Sequence, residues 1–263
     1  MSGLRWACLM YHEVPAEPAS AGYFAVSRDR FAAHLEAIRA LGMTARSLEE
    51  LLSAPTPGVV ALTFDDGHET QYGEAFRLLV ERGFTATFFV TTSWVGAPGY
   101  VTWDQLREMA AAGMSIQSHT RSHPFLSELD SEELERELSG SKAAVEREIS
   151  RPCTTLALPG GDSPRRWSPS DYARLGYRHV ATSRWGPNRG SGDVGMLGGV
   201  GFVRRYTVRR ETSMQEVRRQ VLALPPSYDL EGIRQLVLHN VRSILGAGRY
   251  ARWRRSVLAS LGR

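Results

Sequence analysis

The amino-acid sequence predicts an α/β fold: a single-domain, distorted (β/α) barrel with seven or eight mostly parallel strands. Strand-like and helix-like segments alternate along the chain, and several apolar runs have the length of buried parallel strands. The 263 residues, of which 42% are hydrophobic, are enough to form one large core. In such a barrel we expect the active site at the edge where the C-terminal ends of the strands meet.

The strands are predicted from short apolar runs. Val59–Phe64 is the clearest, because a nearly continuous apolar run is typical of a strand buried on both faces. Gly186–Gly201 is rich in glycine and is predicted to be a loop. The other predicted strands are Leu4–Tyr11, Ala86–Val90, Met114–Ser118, Thr154–Leu158 and His179–Thr182.

The helices are predicted from apolar side chains at helical spacing and from capping signals. Phe31, Leu35 and Ile38 define the buried face of an early helix. Tyr72–Arg82 is predicted to be a helix that ends at Gly83. Further helix starts are predicted at Ser47 with Glu50, Thr102 with Gln105, Asp130 with Glu133, Ser168 with Pro169, and Ser213 with Glu216.

One domain is predicted to cover residues 1–263, with a helical, basic segment at about 230–263. The net charge is +4, and the arginines at the C-terminus have no acidic residues among them. A solvated helix face is the favoured interpretation, and peripheral contact with an anionic membrane surface is the alternative. No nucleic-acid partner is expected. These arginines are Arg242, Arg249, Arg252, Arg254, Arg255 and Arg263.

Neither membrane insertion nor export is predicted. No window holds the run of about 18 apolar residues that a membrane-spanning helix needs. The first residues lack the pattern of a secretory signal, so we expect a cytoplasmic protein. Cys8 and Cys153 lie in strand-like runs and are expected to be reduced thiols in the core.

Two carboxylates directly follow the strand Val59–Phe64. Asp65 and Asp66 are costly at the end of a buried strand unless they are paired or bind a cation. Because neighbouring residues at a strand end point in different directions, one can bind a metal while the other faces a bound water. Taken alone, the sequence Asp65-Asp66-Gly67 is also typical of a simple turn.

Two histidines follow the strand Met114–Ser118. His119 and His123 have a spacing that would place both rings on one face of a helical turn, within reach of one ion. The alternative is a helix cap with two exposed rings. Both motifs follow strands and should meet at the same edge of the barrel, so we predict a metal site. One carboxylate with two imidazoles suits Zn²⁺, with Co²⁺ or Ni²⁺ as alternatives.

With these two motifs the sequence resembles the polysaccharide deacetylase family, the family-four carbohydrate esterases. Thr63–Gly67 is similar to the first motif of that family, and His119–Pro124 is similar to the second. The resemblance runs from about Leu9 to Gly161 and is loose beyond that point.

The resemblance implies a role for each residue of the two motifs. Asp66, His119 and His123 would bind the metal, and Asp65 would be the general base that takes the proton of the attacking water. The metal and a backbone N–H would stabilise the tetrahedral oxyanion.

The third motif of the family is only partly present. Pro159 matches it, but Ala157 stands where an arginine usually pairs with the base. Gly160 replaces an aromatic residue, although its backbone N–H remains a candidate oxyanion donor. Arg121 and Arg184 are the candidate replacements for the missing cation.

The general acid is less well defined. His239 matches the histidine of the fifth motif, but it fits equally well on an apolar helix face. His68 and His12 are the other candidates, and Tyr11 with His12 could instead support the metal ligands. Trp185 lies near the position of the fourth motif and is predicted either to line the substrate groove or to be buried.

The sequence therefore predicts a hydrolase that acts on carbon–nitrogen bonds other than peptide bonds. The favoured activity is metal-dependent N-deacetylation of an N-acetylated amino sugar that is free, nucleotide-linked, lipid-linked or polymeric. One alternative is an amidohydrolase acting on a non-sugar amide. A catalytically silent glycan-binding protein is the other, and it is disfavoured because Asp65, Asp66, His119 and His123 are all present.

Overall fold

The computed structural model describes residues 4–17, 22–190 and 198–224. The strands are β1 (Arg5–Trp6), β2 (Cys8–Tyr11), β3 (Thr44–Arg46), β4 (Val59–Phe64), β5 (Thr87–Val90), β6 (Ser115–Ser118), β7 (Thr155–Ala157), β8 (His179–Ala181), β9 (Asn188–Arg189), β10 (Gly201–Val203) and β11 (Tyr206–Thr207). The helices are α1 (Arg28–Ala40), α2 (Leu48–Ser53), α3 (Arg77–Glu81), α4 (Trp103–Ala111), α5 (Ser131–Ile149), α6 (Pro169–Arg174) and α7 (Met214–Val221).

The main sheet is a curled, parallel sheet that forms an open (β/α) barrel. Its strands follow the order β10-β8-β7-β6-β5-β4-β2-β11, and β3 pairs with the first half of β4. Each of these pairs is parallel. In the described part of the chain the end strands β10 and β11 do not pair with each other. This architecture confirms the predicted distorted (β/α) barrel.

Alternate residues of the strands pack on opposite sides of the sheet. Leu62 and Phe88 belong to the larger core cluster, which the helices cover. Ala61 and Phe89 belong to a smaller cluster that fills the interior of the barrel. Burial on both faces explains why β4 is almost entirely apolar in sequence.

The predicted capping boxes begin three of the helices. Ser47, Thr102 and Asp130 each accept a hydrogen bond from the backbone N–H three residues later, at the starts of α2, α4 and α5. Cys8 and Cys153 are free and buried, as expected. Among the described helices, none is long and apolar enough to cross a membrane.

Two local predictions about strands and loops were wrong, and one predicted helix has an irregular first half. The first strand is interrupted at Ala7, because β1 turns away to pair antiparallel with β9. Since β9 lies within the glycine-rich stretch, that stretch is not loop throughout. The helix that we predicted from Tyr72 begins as a π-helix, Gln71–Phe76, and continues as α3. His239 and the basic segment at about 230–263 lie outside the described residues.

Candidate metal centre

The end of β4 places two carboxylates at the C-terminal edge of the barrel. The side chain of Asp65 is 4% exposed, whereas that of Asp66 is 29% exposed. The chain turns sharply here, with φ of 78° at Asp66 and 82° at Gly67. The turn separates the two carboxylates, so that each has its own partners.

The two histidines lie on an irregular turn that directly follows β6. The predicted helical turn from His119 to His123 is wrong: these residues are not helical. Thr120 and His123 adopt left-handed conformations, with φ of 65° and 61°. Non-glycine residues in the left-handed conformation are strained, and such backbone strain is characteristic of functional sites.

A glutamate of α5 holds this turn in place. The Glu137 carboxylate accepts hydrogen bonds from the N–H of Arg121 at 2.9 Å and the N–H of Ser122 at 2.8 Å. It also accepts one from the Ser122 hydroxyl at 2.7 Å. Within the turn, the N–H of His123 donates to the Thr120 hydroxyl at 3.1 Å. These bonds compensate for the backbone strain.

Three side chains converge at the edge of the barrel. Asp66 Oδ1 lies 3.3 Å from His119 Nε2 and 3.4 Å from His123 Nε2. The three candidate ligand atoms lie within 4.8 Å of one another. The structure thus brings together Asp66, His119 and His123, as the two motifs indicate.

The donor set fits a divalent cation. Asp66 Oδ1 is buried and accepts no hydrogen bond of acceptable geometry from the described residues. His119 Nδ1 donates to the carbonyl of Ala157 at 2.9 Å. In the neutral ring the lone pair is therefore on Nε2, which faces Asp66. A buried oxygen facing two ring nitrogens is an arrangement that a metal ion would satisfy.

The carboxylates and the imidazoles at the centre shift one another's pKa values. Burial alone would raise the pKa of Asp66, but His119 lowers it by more, with His12 and His123 adding to the effect, so the net pKa is well below its usual range. Burial lowers the pKa of His119, but Asp65 and Asp66 more than compensate and raise it. The carboxylates therefore stay ionised and attract positive charge to this point.

Asp65 has a different partner, Arg205. The guanidinium donates two hydrogen bonds to this carboxylate, from Nη1 to Oδ1 at 2.6 Å and from Nη2 to Oδ2 at 2.8 Å. Arg205 is 0% exposed, donates from Nε to the carbonyl of Thr182 and packs against the ring of Phe89. Burial raises the pKa of Asp65, but Arg205, followed by His119, lowers it below its usual value.

Arg205 therefore corrects the sequence-based prediction that Arg121 or Arg184 provides the cation. Both of those arginines are exposed. Arg205 lies between β10 and β11, where the two ends of the curled sheet approach, and no local motif marks it. The sequence feature that could have indicated a buried arginine was its position between two apolar runs, Gly201–Val203 and Tyr206–Val208.

His12 follows β2 and lies close to the two carboxylates. Its ring stacks on Phe24 at 4.7 Å between centroids, and its Nδ1 is buried without a hydrogen-bond partner among the described residues. Burial raises the pKa of Asp65 and Asp66, and His12 is among the groups that lower it. The Gln71 amide donates to the backbone carbonyls of His12 and Asp65, which ties the two strand ends together.

The other candidate residues lie around this centre in different environments. His68 Nδ1 is hydrogen-bonded to the Thr70 hydroxyl at 2.9 Å. Pro159 is buried, and Gly160 is exposed with φ of 55°. Trp185 packs against the core and makes an edge-to-face contact with Tyr206 at 5.4 Å.

Fold and site together define a class of protein: open (β/α) barrels with a candidate metal centre at the C-terminal edge of the sheet. Residues 53–180 match the family model described as polysaccharide deacetylase. The chain is 30% identical over 159 residues to YxkH of Bacillus subtilis, whose name places it among polysaccharide deacetylases. It is 38% identical over 82 residues to a chitin deacetylase of Colletotrichum lindemuthianum.

A solved structure agrees with these matches over most of the chain. The Streptococcus pyogenes deacetylase PplD, in complex with acetate, is similar with a TM-score of 0.73 and 26% identity. This similarity covers 84% of the present chain and 99% of PplD. The chain therefore resembles the polysaccharide deacetylases in sequence over residues 53–180 and in fold over most of its length. It spans 56% of YxkH and 33% of the chitin deacetylase.

Proposed function

We propose that this protein is a metal-dependent N-deacetylase that hydrolyses the acetamide of an N-acetylated amino sugar to the free amine and acetate. The observation that supports this most strongly is the convergence of Asp66, His119 and His123 next to a second carboxylate, Asp65, that Arg205 holds. One carboxylate can then bind the metal while the other accepts a proton.

Asp66, His119 and His123 are the proposed metal ligands. Two imidazole nitrogens and one carboxylate oxygen favour Zn²⁺, with Co²⁺ and Ni²⁺ as alternatives. A divalent ion bound there would lower the pKa of a bound water and polarise the acetamide carbonyl.

Asp65 is the proposed general base. Its low pKa keeps the carboxylate ionised, and its two hydrogen bonds to Arg205 fix its orientation. Each carboxylate oxygen retains a lone pair beyond the one that Arg205 uses, so the group can accept the proton of the attacking water. The exposed turn at Gly160 is the proposed source of a backbone N–H for the developing oxyanion.

His12 is the proposed general acid among the described histidines. Its buried Nδ1 has no hydrogen-bond partner there, and its charge acts on both carboxylates. His68 fits less well, because its Nδ1 is occupied by Thr70. The proton that Asp65 takes from water is balanced by the proton that the acid gives to the leaving amine. His239 remains a prediction outside the described residues.

The proposed substrate class is an N-acetylglucosamine-containing glycan. Two of the relatives support this choice by their names, a chitin deacetylase and a chitooligosaccharide deacetylase of Rhizobium leguminosarum bv. trifolii. The fold alone would not select a sugar over another acetamide.

The test is acetate release from a panel of N-acetylated compounds. The panel contains N-acetylglucosamine, its nucleotide-linked form, chitooligosaccharides and non-sugar acetamides. We expect acetate from at least one of the sugars and none from the Asp65→Asn variant. Release only from non-sugar acetamides would favour the amidohydrolase alternative. Bound metal with no hydrolysis of any compound would favour a silent glycan-binding protein.

A further inference from the structure

A polar cleft of about 240 Å³ lies between helix α5 and the turn from His119 to His123, here called the ligand turn. An arginine stands on each of its two walls, and the proposed deacetylation assigns no role to either. The cleft is therefore a candidate site for an anionic group. Its polar lining consists of Arg121 and Ser122 from the ligand turn and of Glu133, Arg136 and Glu137 from α5.

Arg121 lies in the chain between the two proposed histidine ligands, two residues from each. Two residues of extended chain span at most about 7 Å, so the Cα of Arg121 lies within that distance of the Cα atoms of His119 and His123. The side chain of Arg121 runs alongside α5, where a Cβ added to Gly140 would lie 3.8 Å from its Cδ. The arginine therefore stands beside the candidate metal centre, within the length of a substituted sugar.

Both arginines of the cleft have donors that a ligand can use. The guanidinium of Arg121 is exposed and makes no hydrogen bond or ion pair with the described residues. Arg136 pairs with Glu132 one turn earlier on α5, and the two side chains are 57% and 83% exposed. Because exposed pairs of this kind are weak, Arg136 can exchange this partner for an anion bound in the cleft.

The two glutamates of the cleft are occupied by backbone donors. Glu133 Oε2 accepts a hydrogen bond from the N–H of Asp130 at 3.0 Å, as part of the capping box of α5. Glu137 accepts its bonds from the N–H groups of Arg121 and Ser122 and from the Ser122 hydroxyl. Because these bonds satisfy the carboxylates, the charged groups of the cleft that remain available to a ligand are the two guanidinium groups.

We propose that Arg121 and Arg136 bind a phosphate group that is joined to the amino sugar of the substrate, an inference that rests on the proposed function. A guanidinium presents its N–H donors in a planar fork that matches the oxygens of a phosphate. With the acetamide at the metal centre, the phosphate of the same molecule reaches the cleft. The cleft therefore adds affinity for sugars linked to a nucleotide or a lipid through phosphate, relative to neutral sugars.

Two other roles for Arg121 make different predictions. An arginine that only faces solvent can be replaced without any change in sugar binding. An arginine that supports the ligand turn cannot be lost without weakening the metal site, and charged and neutral sugars then suffer alike. A phosphate site predicts a loss of affinity that is confined to phosphate-bearing sugars, so the experiment must compare charged and neutral sugars and measure metal content.

The test measures equilibrium binding of N-acetylglucosamine 1-phosphate and of its neutral methyl glycoside. The protein is zinc-loaded and carries Asp65→Asn, so that no turnover disturbs the measurement. We expect Arg121→Gln to weaken binding of the phosphate sugar about tenfold, the effect of losing a charge-assisted hydrogen bond. Arg136→Gln should weaken it about threefold, since Arg136 must first leave Glu132. Neither variant should change zinc content or binding of the methyl glycoside.

The matched control is Arg147→Gln, because Arg147 is an exposed arginine of the same helix that pairs with Glu148 outside the cleft. It should bind both sugars like the parent protein. A phosphate that binds the zinc ion instead would leave the Arg121 and Arg136 variants at parental affinity, which overturns the site. Equal weakening of both sugars by Arg136→Gln also overturns it.

Acetate release separates this inference from the proposed function and identifies the source of the phosphate. With Asp65 intact, UDP-N-acetylglucosamine and a short polyprenyl diphosphate-linked N-acetylglucosamine are compared in the presence and absence of Arg121→Gln. We expect the variant to raise KM for the natural type of carrier about tenfold, with little change in kcat. Binding of phosphate sugar that depends on Arg121, without acetate release from any sugar, would overturn the proposed function while supporting the phosphate site.

Discussion

At the residue scale, two neighbouring aspartates are separated by their partners. Asp65 is bound by the buried Arg205, whereas Asp66 faces two imidazoles. The same residue type thus serves two purposes, because one environment supplies a fixed positive charge and the other leaves an oxygen free for a cation. A base and a ligand are the roles that these environments fit.

This division predicts different defects for two substitutions. His119→Ala should lose most of the bound metal, because it removes one of the three ligands. Asp65→Asn should keep the metal but lose at least about 100-fold in kcat, the range for removing a general base. Metal analysis and acetate release on the same samples provide the test. Equal metal loss in both variants would contradict the assignment of roles.

Arg205 is expected to act through Asp65. Removing one partner of a buried ion pair costs about 3–5 kcal/mol, so Arg205→Met should lower thermal stability as well as kcat. Because Arg205 lowers the pKa of Asp65, its loss should raise that pKa and move the acid limb of the pH–rate profile to higher pH. Arg205→Lys keeps the charge and should move the limb less.

The pH profile separates this role from a purely structural one. A folded Arg205→Met variant with normal metal content and an unshifted acid limb would show that Arg205 supports only the fold.

At the element scale, helix α5 supports the ligand turn through Glu137. Glu137→Gln should weaken zinc binding by about 10–100-fold, the usual effect of losing a group that supports a ligand. The glutamine amide has one acceptor oxygen, whereas the Glu137 carboxylate uses two. The strained turn should therefore relax. Competition with a chelator measures the affinity.

Glu135→Gln is the matched control for this prediction, because Glu135 lies on the same helix and pairs with Arg174 at the surface. It should bind zinc like the wild type. If the Glu137 and Glu135 variants bind zinc equally well, the turn does not depend on α5.

The turn after β7 depends on a glycine at a close contact. Gly161 has φ of +65°, and an added Cβ would lie 2.6 Å from the Cβ of Ser183. Gly83 has the same φ of +65°, but an added Cβ there would meet nothing within 4 Å. Gly83→Ala should therefore cost about 1 kcal/mol of stability from backbone strain alone, and Gly161→Ala clearly more.

Thermal unfolding of the two alanine variants measures this difference directly, since the strain in φ is matched. Equal losses of stability would mean that the contact with Ser183 imposes no constraint.

At the scale of the whole molecule, Arg205 connects the open side of the barrel, between β10 and β11, to the candidate active centre. Arg205 lies between the last two strands, so its ion pair with Asp65 joins the chain after β10 to the end of β4 across the interior of the barrel. The group that orients the proposed base therefore also ties the link between the two end strands to the end of β4.

This arrangement explains which features the sequence could predict. Long apolar strands such as β4, the capping boxes of α2, α4 and α5, and the two ligand motifs each carry a local signal. The strand and the capping boxes were predicted correctly because the residues that define them are close together in the sequence. The structure brings the two motifs together, and metal binding by them stays a prediction.

The features that were missed depend on tertiary contacts. Strands β3, β10 and β11 have only two or three residues and are stabilised by their neighbours in the sheet rather than by their own pattern. Arg205 is separated from Asp65 by 140 positions, and the two meet only when the sheet curls. The ligand turn is strained rather than helical, because the hydrogen bonds that the Glu137 carboxylate accepts override the helical spacing.

The central claim is that a metal held by Asp66, His119 and His123 supports deacetylation. The most direct measurement is acetate release from a chitooligosaccharide by metal-stripped protein as Zn²⁺ is added back. We predict no release from the stripped protein, and recovery that saturates at one equivalent of zinc and is absent in His119→Ala. Full activity in the stripped protein, or equal recovery in His119→Ala, would contradict the claim.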